Sequence, residues 1–290
     1  MNTRLTIPTA LLLALAFAPA CKKTQDTDSP DTTGGEAVDA GDGGEVDPGD
    51  EAEQPALPEQ EPDPPEVAAL YQRYLQGDYD AVASEADELR ASLTADTQVR
   101  AHALLSSIAA LAAAEAVPEN AEASSAAALA DGERLDDAEV RQLAHIAHAT
   151  YLIRVHDAPA GQAELEAALE LGGPYESLNY LMLAEAHLNQ AFGTGDKDMQ
   201  IVEPTQLDEA RSMYEAALAG GDVLLQGQAH EGLAAVAKYK NEKDAACEHV
   251  QQAEDLYAEG GASDYIREVP ALLAKDARCK DFTKAGGDGE

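Results

Sequence analysis

Three double glycines, each closing an apolar helical run, constrain this chain more than any other feature. Gly172-Gly173, Gly220-Gly221 and Gly260-Gly261 follow Leu165-Glu-Ala-Ala-Leu, Tyr214-Glu-Ala-Ala-Leu and Ala253-Glu-Asp-Leu. Glycine is favoured just past a helix end because it takes positive φ without a Cβ penalty. Three such stops after similar runs indicate a duplicated helical unit. Small residues repeat with them. Ala149, Gly161 and Ala168 are spaced by twelve and seven, and so are Ala234, Ala246 and Ala253. Ala210 and Ala217 keep the seven, while Ala184 to Ala210 is 26, which is twelve plus a fourteen-residue insertion. Small residues at these intervals let two antiparallel helices approach closely and let the next pair pack on them.

Periodicity is helical from Glu66 onward and gives five helix pairs at 66–92, 97–131, 136–172, 176–219 and 222–259. A last helix at about 264–280 covers the final pair, whose face would otherwise stay open. With no Trp and only Phe192 and Phe282 in this span, the core should be alanine and leucine packed between helices. The expected class is all-α.

This pattern, carried by the small residues of 142–259 and by the turn Gly77-Asp78-Tyr79, resembles the tetratricopeptide repeat family. The resemblance implies an α-solenoid wound as a right-handed superhelix, with the first helix of each pair lining a concave groove that holds proteins. Carried over where the repeats align, the inward positions are Leu143, Ile146, Thr150, Ile153 and Arg154, then Leu178, Leu181, Glu185, Leu188 and Asn189. Gln228, Glu231, Lys238 and Tyr239 complete them. Such a strip could take an extended or helical peptide. The alternative is that its leucines are plain core. The insertion at about 191–205, with Phe192, Met199, Ile201 and Val202, is a second candidate surface, or else a passive extension.

The amino terminus points to the cell envelope. Met1 to Arg4 is basic, Leu5 to Ala18 is almost wholly apolar, and Ala18-Pro19-Ala20 provides small residues for cleavage. Cys21 follows directly, an arrangement that resembles a bacterial lipoprotein signal. In that class the cysteine becomes the lipid-modified first residue. Ala18 and Pro19 stand where the class usually carries Leu and then Ala, Ser or Thr, so ordinary secretion with the same cut is the alternative. Lys22 rather than Asp after the cysteine suggests the outer membrane, facing the periplasm.

Residues 21–65 then read as a tether. Residues 22–66 hold fifteen acids, two lysines, no aromatic residue and many Gly and Pro. They cannot bury enough apolar surface to offset their ordering entropy. As a coil the segment would span roughly 35–40 Å. Asp39, Asp42, Asp47 and Asp50 fit no EF-hand spacing. Beyond the leader, no other stretch reads as a membrane span. A short tail, 281–290, should be disordered.

A net charge of −36 with only 19 Lys and Arg disfavours nucleic acid as a partner. No phosphate loop, GxSxG elbow or CxxC is present. His145 and His148 lie three apart on one helical side, but zinc needs a third ligand. No cofactor, metal or catalytic residue is expected; a metal-binding protein or enzyme built on that histidine helix is the alternative function. Cys247 and Cys279 flank the last turn, with their midpoint at residue 263. In an antiparallel hairpin centred there the side chains stand at one height, as a disulfide requires in an oxidising compartment. The reading is an envelope lipoprotein with a protein-binding helical scaffold, an assembly or adaptor role, and no small-molecule substrate.

Overall fold

A computed structural model of the chain describes residues 61–94, 96–192 and 201–284. The leader, Cys21, most of the tether, Met199 and residues 285–290 lie outside them.

The described residues are all-helical, with eleven α-helices and no strand. They are α1 (Pro65–Leu75), α2 (Tyr79–Ser92), α3 (Val99–Ala116), α4 (Glu122–Glu133), α5 (Ala138–Arg154), α6 (Ala158–Leu171), α7 (Glu176–Ala191), α8 (Pro204–Ala217), α9 (Val223–Tyr239), α10 (Lys243–Gly260) and α11 (Asp264–Ala277). Each helix packs on the next in sequence, and the odd-numbered helices also pack on one another in order from α1 to α11.

The spaced small residues explain this packing. Ala149, Ala168, Ala184, Ala210, Ala217, Ala234, Ala246 and Ala253 are all buried. Gly161 allows no side chain, since a Cβ there would meet Ile153 Cγ1 at 2.7 Å and the Ala149 carbonyl at 3.1 Å. The final helix α11 covers the last pair, with Val269, Leu273 and Ala274 packed on Ala234 and Val250.

The hairpin turns share one backbone solution. Gly77, His156 and Asn241 all have positive φ, at 86°, 68° and 60°. The next residue, Asp78, Asp157 or Glu242, donates its N–H to a carbonyl five residues back. This is the left-handed helix stop that closes orphan carbonyls. Only Gly77 is legible as such from sequence, because His and Asn tolerate the conformation without announcing it.

Two expectations need correction. Gly172, Gly173 and Gly261 do have positive φ, but neither Gly220 nor Gly221 does. Gly220 is instead demanded by proximity, since a Cβ would fall 2.0 Å from Ser177 Oγ. In addition, α3 is long and apolar enough by length and composition to cross a membrane, with 72% of the span buried inside the fold. After Val117, Pro118 opens a 3₁₀ turn (Pro118–Asn120), and α4 begins at Glu122.

The arrangement of α1 positions everything that follows. Pro64 and Pro65 start it, Glu66 complements its first turn, and Val67, Leu70, Tyr74 and Leu75 form its buried stripe. Its leading segment is pinned at the start of α3, where the Glu61 N–H reaches the Thr97 carbonyl at 2.9 Å and Asp63 pairs with Arg100. Midway, Tyr71 meets Tyr175 at the start of α7, edge to face, with centroids 5.2 Å apart. At its far end the Gln76 carbonyl accepts from the Ser263 N–H, at the start of α11. Gly77 lies against Ile266, where a Cβ would come within 2.6 Å of the side chain. Thus α1 is a strap along the N-terminal ends of the odd-numbered helices, joining the first hairpin to the last helix.

A tyrosine and carboxylate cup as the candidate functional site

With that strap as a floor, the inner face of the stack becomes a cup. Its cavity is about 420 Å³ and draws its lining from nearly every hairpin. The rim is formed by the C-terminal ends of α3 and α5, where Pro118, Glu119, Val155 and His156 line the mouth. Val155 is 37% exposed there, and Glu119 and His156 are exposed as well.

Five phenol rings face inward: Tyr74, Tyr79, Tyr214, Tyr257 and Tyr265. Two of them are seated by glycines on α9. Gly227 lies against the Tyr257 ring at 2.7 Å and Gly232 against the Tyr214 ring at 2.2 Å, measured from the Cβ each lacks. Gly232→Ala is therefore expected to push Tyr214 inward and to lower stability by about 1–3 kcal/mol. Thermal unfolding of the single variant tests it, and an unchanged midpoint would show slack around the ring.

Just inside the mouth, the cup carries an ionic network. Arg154, at the end of α5, donates from Nε to Glu115 Oε2 at 3.0 Å and from Nη2 to Glu115 Oε1 at 2.7 Å. Its Nη1 donates to Glu185 on α7. The side chains of Arg154 and Glu115 are only 8% and 7% exposed. Burial opposes the Arg154 charge, but the two carboxylates override it and hold the guanidinium proton more tightly than usual. Glu231 on α9 accepts from the Tyr257 hydroxyl at 2.8 Å. Burial above all pushes the Glu231 carboxyl up to about 8; the Tyr257 bond opposes this and the Glu185 charge adds to it.

Of the positions carried over from the repeat resemblance, Ile153, Arg154, Leu178, Leu181, Glu185, Leu188, Asn189, Gln228 and Glu231 do line this cavity. Leu143, Ile146 and Thr150 do not; all three are fully buried, and Thr150 donates to the Ile146 carbonyl. They are core and offer no surface. Lys238 and Tyr239 lie outside the cup. Lys238 pairs with Asp276 at 2.9 Å, and the Tyr239 ring packs edge to face on Phe192 at 4.6 Å.

Phe192 itself is 6% exposed, so it anchors the insertion instead of presenting it. The base of that insertion is closed by a Phe192–Ile201 antiparallel bridge and by the Val202 N–H to the Ala191 carbonyl at 2.9 Å.

Sequence reasoning missed Glu115 and the five tyrosines, because they come from six different helices and share no spacing. One signal was present. Glu115 is the only acid in the apolar run Val99–Ala116, and a lone charge at the end of such a run needs a partner.

The histidines are bound into the scaffold. His145 Nδ1 is 2.7 Å from Glu164 and its Nε2 is 2.9 Å from Glu133, bridging α6 and α4. His148 faces elsewhere, its buried Nδ1 without a hydrogen-bond partner among the described residues. His230 and His249 stack with their Nδ1 atoms 3.1 Å apart. Among the described residues no group of three or more His, Cys, Asp or Glu side chains is placed to hold a metal ion.

Cys247 and Cys279 are brought together, with Cα atoms 5.4 Å apart and sulfurs at 2.02 Å. No protein-family model matches this chain, and neither does any curated protein or solved structure.

Proposed function

We propose that this chain is an envelope-tethered binding protein whose receptor element is the cup. In this reading Cys21 carries the lipid, in the outer membrane and facing the periplasm. Residues 22–65 are the leash, and the helical stack is a tetratricopeptide-like solenoid stapled by a Cys247–Cys279 disulfide. The mechanism is positional and involves no bond-making. The lipid fixes the protein to a surface, the leash sets its reach, and the cup captures a partner group in an assembly or adaptor role.

The observation that carries the reading is the cavity on the inner face of the odd-numbered helices, open at a rim with exposed side chains. It lies where pockets recur between packed helices, and its volume is in the range of ligand sites. The strap narrows what can enter. An extended peptide would have to compete with α1 for the inner face, whereas a side chain or small molecule can enter over Val155 and His156.

Photo-crosslinking in the native envelope tests this. A crosslinkable residue at Asn189 or Gln228, both lining the cup, should capture a defined partner. The same residue at Glu170, exposed on α6, should not. Equal capture from both positions, or from neither, would remove the cup as the receptor.

A further inference from the structure

We infer that the cup is built for an organic ammonium ion, its charged head seated between Glu231 and Glu185 against the tyrosine faces. This rests on the reading of the cup as the receptor and names the chemistry it selects.

The first argument is charge. Three carboxyl groups, Glu115, Glu185 and Glu231, line the interior and a fourth, Glu119, the mouth, whereas among the described lining residues Arg154 is the only Lys or Arg. The hydrogen bonds of Arg154 are committed to Glu115 and Glu185. Glu231 has the Tyr257 hydroxyl as its only hydrogen-bond partner among the described residues. A carboxyl group placed beside a cavity without a cation is costly as the anion, and it resolves the cost by keeping its proton. Burial pushes the Glu231 carboxyl in this direction, up to about 8. An anionic ligand would add to the imbalance, and an uncharged one would leave it.

The second argument is the wall. Phenol faces attract cations through the ring quadrupole, and several rings around one site are the usual device for quaternary ammonium groups. Here Tyr214, Tyr257 and Tyr265 come from three successive hairpin elements, and Tyr79 packs edge to face on Tyr265 and beside Tyr74, so the rings continue one another. Burial raises the phenols of Tyr74, Tyr79, Tyr214 and Tyr257 well above their ordinary value, so the rings stay neutral and act through their faces. The third argument is access. The open mouth at Val155 and His156 admits a small ligand without unfolding.

Calorimetry on the full-length chain tests the assignment, with choline and 1,4-diaminobutane as probes and 3,3-dimethylbutan-1-ol as the neutral isostere of choline. At least one ammonium probe should bind at least tenfold more tightly than the alcohol. Binding requires the Glu231 carboxylate, so affinity should rise by up to about tenfold per pH unit up to pH 8. The charged and titratable groups that share the cup with Glu231 are Glu115, Glu185 and Arg154, the Tyr74, Tyr79, Tyr214, Tyr257 and Tyr265 phenols, and Glu119 and His156 at the mouth. Glu231→Gln should reduce affinity at least tenfold and flatten the pH profile. Ala235→Trp, filling the cup from α9, should abolish binding whatever the state of Glu231.

Equal binding of the alcohol and the ammonium probes would overturn the ammonium assignment and leave the cup as the site. Ammonium binding that survives Ala235→Trp would overturn both. A tripeptide Ala-Lys-Ala as a third probe separates the sources. Tighter binding than the free amines points to a lysine of a protein partner; weaker binding points to a free small amine.

Discussion

Arg154→Met is expected to destabilise the folded chain by about 3–5 kcal/mol, the largest effect of any single substitution in the cup. The substitution leaves Glu115 and Glu185 close together with no counter-charge, and Glu115 is 7% exposed. Breaking a buried ion pair from one side strands the other charge, which costs far more than the pair is worth. The companion variant makes the argument sharp. Replacing Arg154, Glu115 and Glu185 together by Met, Leu and Met removes all three charges and should recover most of the loss, because apolar replacement of a buried triad is often neutral. Urea denaturation of the single and triple variants decides it. If the single variant costs less than about 1 kcal/mol, the network is solvated and this part of the cup is not dry.

Replacing both Cys247 and Cys279 by Ser should cost about 3–4 kcal/mol if the pair is oxidised in the mature protein. The two residues are 32 apart in sequence, and closing a loop of that length removes roughly that much free energy from the unfolded chain in the entropy model. A thiol titration under non-reducing, denaturing conditions comes first, and two free sulfhydryls would end the idea. The effect should also be local. The bond joins α10 to the residue just past α11, and α11 carries Ile266 against Gly77 and Tyr265 against Tyr79. Loss of the staple should therefore lower hydrogen-exchange protection in α11 and α1 before the middle of the stack.

Much of the helical order was legible because small residues are a packing requirement with a fixed period. Ala149, Gly161 and Ala168 are buried in the α5–α6 hairpin, and at Gly161 even a Cβ would crowd Ile153 and the Ala149 carbonyl. The five expected pairs and the last helix correspond to α1 through α11 within a few residues. The inward side of the odd-numbered helices is legible for the same reason, and Ile153, Leu181 and Glu231 on it line the cavity. Leu143, Ile146 and Thr150 were misplaced, because a helix position that points inward can end in solid core or in open space, and periodicity does not distinguish the two.

What the sequence determined by itself was the set of local rules: where helices start and stop, which faces are apolar, and that repeated pairs must stack. Those follow from backbone conformation and side-chain period, which act over a few residues. Only the tertiary structure decided that the first helix turns back as a strap from α3 to α11, that Arg154 meets Glu115 and Glu185, and that five distant tyrosines share one wall. These depend on contacts between residues far apart in the chain, set by the summed packing of all the helices and written in none of them.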